Sequence, residues 1–235
     1  MTGNLQAGSR SPVAFRAVLF DLDGVLVDTE IWWDQVRTRF AAGLGRLWTE
    51  ADRAAIMGSN TSEWRTRMRE RLTLEMPEYD IERAVIEGML DLYATKGAPA
   101  MVGAVEAVRR LSERYSLAVA SSSPPQVIEA ALGSLGVRDL IGTVASSDEV
   151  PAGKPAPDVF LLAARRLGVD PAGCLVVEDS LNGVLAAGSA GMRVALIPNA
   201  SIPPAEGARE AATYNLASLH DLDPDRLATG NREQG

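Results

Sequence analysis

The chain changes from apolar to acidic within the stretch AVLFDLDG, residues 17–24. Its first four residues are all apolar, which favours a strand buried on both faces, because a half-exposed strand would alternate apolar and polar residues. Asp21 and Asp23 come next, two positions apart, so their side chains point the same way in extended backbone. The stretch therefore predicts a buried strand with two carboxylates at its carboxyl end.

Four further apolar runs predict buried strands later in the chain. They are Leu117–Ala120, Thr143–Ala145, Leu175–Val177 and Val194–Ile197. Helical patterns separate them, such as residues 126–135, which follow two prolines and precede a glycine, the usual helix boundaries. Strands that alternate with helices form parallel sheets with right-handed crossovers. We therefore predict an α/β fold built on a Rossmann-like, doubly wound parallel sheet.

Residues 30–96 depart from this alternation, because they show helical patterns and no convincing strand. The four candidate helices cover residues 30–42, 49–57, 62–74 and 81–95. A helical stretch between the first strand and the others predicts an inserted domain. We expect a core domain at residues 13–29 and 97–229, and a helical cap at residues 30–96.

The composition of the chain limits the kinds of partner that it is expected to bind and the compartment in which it is expected to occur. The chain has 235 residues, 46% of them hydrophobic, and a formal net charge of -8. This charge argues against nucleic-acid binding, which relies on a basic face. No apolar run approaches the ~20 residues that span a bilayer, and residues 1–15 lack the apolar core of a signal peptide. We expect a cytoplasmic protein with neither a nucleic-acid nor a membrane partner and, by default, a monomer.

The single cysteine excludes an internal disulfide, which suits a reducing compartment. Cys174 opens the apolar run CLVV, residues 174–177. A thiol in such a run is expected to be buried and structural rather than reactive.

Four carboxylates follow predicted strands and are expected to meet, because ligands of an open parallel sheet bind at the carboxyl ends of its strands. They belong to Asp21, Asp23, Glu178 and Asp179. Such a cluster repels itself unless a cation is present. An all-oxygen ligand set favours Mg²⁺ over zinc. The sequence therefore predicts a magnesium site at this edge of the sheet.

Phosphate-binding groups are expected at the same edge. Ser121 and Ser122 follow the second predicted strand, and their hydroxyl and backbone N–H groups can donate to phosphate oxygens. Lys154, one of only two lysines in the chain, lies in the loop after the third strand. Together with Mg²⁺, its charge nearly balances four carboxylates. The set predicts an enzyme that handles phosphoryl groups.

Four segments resemble the motifs of the haloacid dehalogenase-like hydrolase superfamily. They are FDLDGVLVDTE (residues 20–30), ASSS (120–123), GKPAPD (153–158) and VEDSLNG (177–183), in the superfamily's order. The resemblance extends from Ala17 to about Leu222. The helical insertion after the first motif resembles the cap of the subgroup that includes β-phosphoglucomutase and many small-molecule phosphatases.

The resemblance implies a role for each acid. Asp21 would attack phosphorus and form an aspartyl-phosphate. Asp23 would protonate the leaving oxygen and then activate the water that cleaves this intermediate. Mg²⁺ would be held by Asp21, the main-chain carbonyl of Asp23 and Asp179, with Glu178 at or near the ion.

Two features of the cap could contact the substrate. Gly58, Ser59 and Asn60 resemble the substrate-facing cap loop of the superfamily, although a plain turn between helices is an equal interpretation. Trp32, Trp33 and Trp64 could stack on a sugar or another leaving group. At helical spacing, however, we expect at least two of these tryptophans in the core of the cap.

The function that these observations favour is hydrolysis of a small phosphorylated metabolite, such as a sugar phosphate. A β-phosphoglucomutase-like phosphotransferase is the main alternative. Mutases of this kind carry a histidine, a lysine and an arginine in the cap, whereas Trp33, Met57 and Thr61 occupy the corresponding positions here. A catalytically silent binding protein is the alternative from another class. It would be expected to have lost a catalytic acid, and none is missing.

Overall fold

The computed structural model describes residues 14–56, 59–200 and 202–229. These residues form a six-stranded parallel sheet with the spatial order β3-β2-β1-β4-β5-β6. The strands are β1 (Ala17–Phe20), β2 (Ser116–Ser121), β3 (Thr143–Ser146), β4 (Cys174–Glu178), β5 (Arg193–Leu196) and β6 (Tyr214–Asn215). The sheet confirms the predicted α/β fold, and its topology places β1, the strand of the first motif, in the interior of the sheet.

All five predicted strands are present, with small differences at their ends. β2 and β4 each extend to the polar residue that was expected to follow them, so Ser121 and Glu178 are the last residues of their strands. The sixth strand was not predicted. It is two residues long and pairs with β5 at the sheet edge through Tyr214 and Asn215.

The helices alternate with strands everywhere except in the predicted insertion. The insertion holds α1 (Glu30–Gly43), α2 (Glu50–Ile56), α3 (Thr61–Arg71) and α4 (Glu78–Lys96), after which α5 (Ala104–Ser112) leads into β2. The later helices are α6 (Pro125–Leu135), α7 (Asp158–Leu167), α8 (Leu181–Ser189), α9 (Ala208–Ala211) and α10 (Pro224–Ala228). The helical cap is therefore confirmed, while the division into domains at residues 29/30 and 96/97 stays a prediction.

Helix ends follow the local sequence. Pro125 is in the first turn of α6, and Gly136, with φ of 66°, ends this helix in the left-handed region that glycine adopts without strain. α3 begins after Asn60, whose side chain accepts a hydrogen bond from the backbone N–H of Glu63 at 2.9 Å. This is the ordinary N-cap arrangement, which satisfies one of the free N–H groups of the first turn.

The two faces of the sheet are covered by different helices, because successive residues of a strand point to opposite faces. Val18 and Phe20 lie in a cluster with residues of α5, α6 and the cap. Ala17 and Leu19 lie in a second cluster with residues of α7 and α8. All four side chains are fully buried, as the unbroken apolar run predicted.

The cap is built on its own tryptophans and on one long helix. α4 packs against α1 and α3 within the cap and against α6 of the core. Trp33 and Trp64 are buried, whereas Trp32 is half-buried and meets Tyr93 edge to face, with ring centroids 5.3 Å apart. The expectation that at least two of the three belong to the cap core is confirmed.

Cys174 is buried at the start of β4, as expected. Burial, followed by the nearby Asp170 carboxylate, raises the pKa of its thiol to about 11. Among the described residues, no helix combines the length and apolarity that a membrane span requires. The cytoplasmic location stays a prediction.

Candidate active site

The pairing of the central strands brings the predicted acids together. Phe20 of β1 lies opposite Val177 of β4 on one side and opposite Val119 of β2 on the other. The backbone N–H of Asp21 continues the ladder and donates to the carbonyl of Val177 at 2.9 Å. Asp21 therefore stands directly beside the carboxyl end of β4, where the next residues are Glu178 and Asp179.

Lys154 reaches this point from the loop after β3. Its Nζ lies 2.7 Å from Oδ1 of Asp21 and 2.6 Å from Oε1 of Glu178, and it donates to the carbonyl of Ala120 at 3.1 Å. The Phe160 ring lies 4.8 Å from Nζ. Burial opposes the ammonium charge, but the attraction of Asp21 and Glu178 outweighs it and raises the pKa of Lys154 above its usual range. The lysine is thus a fixed positive charge between two acids.

Three carboxylates form a candidate metal site. Asp21, Glu178 and Asp179 each offer an oxygen within 4.8 Å of the others. Burial raises the pKa of Asp21 and of Asp179 above the usual range for aspartate, and the charge of Glu178 adds to the increase in both. Lys154 supplies one positive charge for three carboxylates, so a divalent cation would balance the site. The all-oxygen donors suit a hard cation.

Glu178 is held more tightly than the other two acids. Its Oε2 accepts hydrogen bonds from the backbone N–H groups of Asp179 and Ser180, both at 3.1 Å, and from the Ser180 hydroxyl at 2.9 Å. A Cβ on Gly183 would lie 1.8 Å from its carboxyl carbon, so only glycine leaves room for this arrangement. Glu178 is therefore a fixed negative charge beside Lys154.

Glycine is also required beside Asp179. Gly24 has φ of 85°, and a Cβ there would lie 2.0 Å from Oδ2 of Asp179. The first motif thus needs a residue without a side chain at this point, because its backbone turns closely around the fourth motif.

The Asp23 side chain faces the cap rather than the three-carboxylate cluster. Its Oδ2 accepts a hydrogen bond from the Ser123 hydroxyl at 2.7 Å. Its Oδ1 accepts from the hydroxyl of Thr29 and from Nε1 of Trp33, the latter at 3.3 Å. Thr29 precedes α1 and Trp33 belongs to it, so the second acid is linked directly to the first cap helix.

The serine triplet after β2 lines the same space. Ser121 is buried, and its Oγ accepts a hydrogen bond from the backbone N–H of Ser123 at 3.0 Å. Ser121, Ser122 and Ser123 all border the cavity above the sheet edge. The sequence interpretation included the first two as phosphate ligands and missed the link between Ser123 and Asp23, since only the folded chain brings residues 100 positions apart into contact.

A cavity of about 440 Å³ lies between this edge of the sheet and the cap. This volume suits a small metabolite. The core contributes acids, serines and a lysine, namely Asp21, Asp23, Ser121, Ser122, Ser123, Lys154, Asp179 and Ser180. The cap contributes Glu30, Trp33, Arg37, Ile56, Ser59 and Trp64. The site is therefore enclosed from both sides.

The predicted cap loop is only partly in this wall. Ser59 borders the cavity, and its hydroxyl accepts a hydrogen bond from Nη1 of Arg67 at 2.8 Å. Asn60 caps α3 and packs toward Gly153 of the core instead. Gly58 lies outside the described residues.

The sequence interpretation missed two charged residues of the cap wall, Glu30 and Arg37. Together with Trp33 they have the spacing i, i+3, i+7, so they share one face of α1. The periodicity could have revealed this common face. Nothing in the sequence, however, indicated that this face of α1 covers the candidate active site.

The motifs that form this site also identify the family. Residues 15–191 match the profile of the haloacid dehalogenase-like hydrolases. The chain belongs to this family. The match contains all four motifs that the strand ends bring together, and it includes the helical cap.

Individual relatives agree with this assignment. Hexitol phosphatase B of Escherichia coli (strain K12) is 30% identical over 200 residues, which cover 80% of this chain and 86% of that protein. A probable pseudouridine-5'-phosphatase of Drosophila melanogaster is 35% identical over 220 residues, covering 89% and 92%. The crystal structure of CbbY from Rhodobacter sphaeroides in complex with phosphate has a TM-score of 0.79 at 28% identity, covering 88% of this chain and 96% of that one. The predicted superfamily and the class of phosphoric monoester hydrolase are thus confirmed.

Proposed function

We propose that this hydrolase is a Mg²⁺-dependent phosphatase that acts on a small phosphorylated metabolite through an aspartyl-phosphate on Asp21. The observation that supports this most directly is the position of Asp21 in the cavity wall, where Lys154 binds one of its carboxylate oxygens at 2.7 Å. The second oxygen of this carboxylate accepts no hydrogen bond from the described residues. A buried carboxylate that is fixed on one side and free on the other suits nucleophilic attack.

The transferring phosphoryl group would lie between Asp21 and the serines. Ser121 and Ser122 would donate hydrogen bonds to its oxygens, and Lys154 would stabilise the negative charge shared by the phosphoryl group and Asp21. Charge stabilisation and positioning are the main contributions of a protein to phosphoryl transfer. Mg²⁺, held by Asp21, the Asp23 carbonyl and Asp179 with Glu178 nearby, would supply a further positive charge at the phosphoryl oxygens.

Asp23 would move the proton in both half-reactions. In its protonated form it would give the proton to the oxygen of the leaving group as the bond between this oxygen and phosphorus breaks. The resulting carboxylate would then accept a proton from the water that attacks the aspartyl-phosphate. Its bonds to Ser123, Thr29 and Trp33 support this role, because they fix the orientation of the carboxyl group beside the cavity.

A sugar phosphate or a related polyol phosphate is the substrate class that the relatives favour, since one of them is named a hexitol phosphatase. The cavity wall is consistent with this class. Trp33 and Trp64 border the cavity while remaining almost fully buried, and the carboxylate of Glu30 could accept hydrogen bonds from substrate hydroxyls. The monomeric state stays a prediction.

Replacement of the nucleophile tests the proposal. Asp21→Asn should abolish release of inorganic phosphate from a panel of phosphorylated metabolites, because an amide cannot form the aspartyl-phosphate. Asp139→Asn is the matched control, since Asp139 is exposed and away from the cavity. Mass spectrometry of acid-quenched wild-type protein should detect one added phosphoryl group, and Asp21→Asn should show none. Turnover by Asp21→Asn at a tenth of the wild-type kcat would contradict covalent catalysis at this residue.

The same assay separates hydrolysis from the mutase alternative. The enzyme is supplied with β-glucose 1-phosphate and catalytic glucose 1,6-bisphosphate, and both inorganic phosphate and glucose 6-phosphate are followed. Phosphate release with negligible isomerisation is the expected result. Efficient isomerisation without phosphate release would establish the mutase instead.

A further inference from the structure

Arg37 places a positive charge in the cap wall of the active-site cavity. It belongs to α1, one helical turn after Trp33. Its guanidinium carbon lies 4.9 Å from the Trp33 ring centroid and 5.6 Å from the Trp64 ring centroid. A cation over aromatic faces is held by their quadrupoles. The two tryptophans therefore fix the guanidinium without using its hydrogen-bond donors.

Those donors have little to bind within the protein. Nε of Arg37 is buried and has no hydrogen-bond partner among the described residues. Glu30, Asp23 and Asp34 attract the guanidinium from a distance, but none of them forms an ion pair with it. A buried donor without a partner costs free energy, so such groups usually have a use.

The neighbouring acids are already engaged elsewhere. Asp34 forms a two-point contact with Arg53, at 2.8 and 2.7 Å, and Asp23 accepts hydrogen bonds from three side chains. Glu30 alone remains near Arg37, on the same helix face and half-buried. Of these three acids, only Glu30 is left to balance the charge of Arg37.

Other cap arginines differ from Arg37 in this respect. Arg53, Arg65 and Arg71 each form an ion pair with an acid of a neighbouring helix or helix end. These pairs tie the cap helices together. Arg37 makes no such connection, and its side chain lines the cavity.

The guanidinium keeps its charge at neutral pH. Burial lowers the pKa of Arg37 to about 10, against the opposing attraction of Glu30, Asp23 and Asp34. This value is still well above neutrality. A charged planar group with parallel N–H donors matches a carboxylate or a phosphate, which it can bind through two hydrogen bonds.

We propose that Arg37 binds a second anionic group of the substrate, a carboxylate or a further phosphate, at the cap end of the cavity. The preferred substrate is then a phosphorylated metabolite with two anionic groups, one that reacts at Asp21 and one that contacts Arg37. This inference rests on the proposed phosphatase function and narrows its substrate class to sugar or polyol phosphates that carry a second anionic group.

Matched substrate pairs test the proposal. 6-Phosphogluconate differs from sorbitol 6-phosphate only by a carboxylate in place of the distal hydroxymethyl group, and 3-phosphoglycerate differs from glycerol 3-phosphate in the same way. Sorbitol 1,6-bisphosphate supplies the second phosphate. For each pair, kcat/KM is measured for both substrates, and the value for the anionic substrate is divided by the value for the neutral one. We expect the wild-type enzyme to favour the anionic member of at least one set.

Variants assign this preference to Arg37. Arg37→Met keeps an apolar side chain of similar length and removes the charge. This variant should lower the ratio by about 10- to 100-fold, which is the usual loss when a hydrogen bond to a charged group is removed. Arg37→Lys, which keeps the charge without the planar group, should give an intermediate ratio. Arg39→Met is the matched control, because Arg39 lies on the exposed side of the same helix, and it should keep the wild-type ratio.

The outcomes separate this inference from the proposed function. Phosphate release by the wild-type enzyme with no preference for any anionic member would overturn the role of Arg37 and leave the phosphatase intact. An unchanged ratio in folded Arg37→Met would do the same. If this variant does not fold, inhibition of the wild-type enzyme by gluconate and by sorbitol tests the proposal instead. Gluconate should inhibit more strongly than sorbitol. Equal inhibition would refute the proposal. No phosphate release from any substrate would refute the phosphatase and the substrate class with it.

Discussion

Replacing Lys154 with methionine should destabilise the protein strongly. The ammonium group lies 2.7 Å from Asp21 and 2.6 Å from Glu178, and its side chain is only 5% exposed. Methionine fills a similar volume but carries no charge. The variant would therefore leave two buried carboxylates facing each other without the cation between them.

The expected size of this effect follows from the burial of the pair. Removing one partner of a buried ion pair costs about 3–5 kcal/mol, because the remaining charge stays desolvated. For a chain of 150–250 residues, each kcal/mol shifts Tm by about 2–4 °C. Lys154→Met should thus lower Tm by roughly 6–20 °C at pH 8 in EDTA, where no cation compensates.

The pH dependence gives a second measure of the same effect. Asp21 has a pKa already raised by burial, so the variant can protonate it at lower pH and remove part of the repulsion. An acid whose pKa is raised in the folded protein binds its proton more tightly there than in the unfolded chain. Binding of this proton therefore stabilises the folded protein at low pH, and the stabilisation is lost as pH rises through the raised pKa. The Tm difference between Lys154→Met and wild type should therefore be larger at pH 8 than at pH 5.

The control is the other lysine. Lys96 is exposed at the end of α4, and Lys96→Met should change Tm by at most a few degrees. Thermal unfolding is followed by circular dichroism at both pH values with excess EDTA. A Tm for Lys154→Met within 3 °C of wild type at pH 8 would refute the reasoning that Lys154 offsets the charge of buried carboxylates.

Two further predictions concern the metal and the thiol. Mg²⁺ should raise Tm relative to EDTA and restore activity lost on chelation, because a ligand of the native acid cluster adds stability. Full activity in EDTA would contradict the assignment of a metal to Asp21 and Asp179. Cys174 should not react with a thiol reagent in the native protein at pH 8, since its buried thiol has a pKa raised to about 11, and it should react after unfolding. Rapid modification of the folded protein would show that this strand is accessible.

The residues of the candidate active site were predictable from the sequence where they directly follow a buried strand. The apolar run before Asp21 required a strand buried on both faces, and the ends of parallel strands meet at one edge. These two local rules were enough to group Asp21 with Glu178, Asp179 and Lys154. The motifs added the chemistry that such a group performs.

For the cap, the sequence predicted the helices but not the surfaces that they cover. Its helical periodicity predicted four helices within a few residues of their observed bounds. Periodicity, however, does not state which neighbour a helix face meets. Arg37 and Glu30 could have faced solvent until the fold placed this side of α1 over the cavity.

Local signals by themselves thus determined the five longer strands, the cap helices and the acids at the strand ends, because each depends on residues close in sequence. Only the tertiary structure decided the contacts between distant segments. The bond from Ser123 to Asp23, the place of Arg37 between Trp33 and Trp64, and the edge strand β6 all require surfaces from separate parts of the chain. Strand β6 has two residues and no apolar run, so its conformation is stabilised by pairing with β5 rather than by its own sequence.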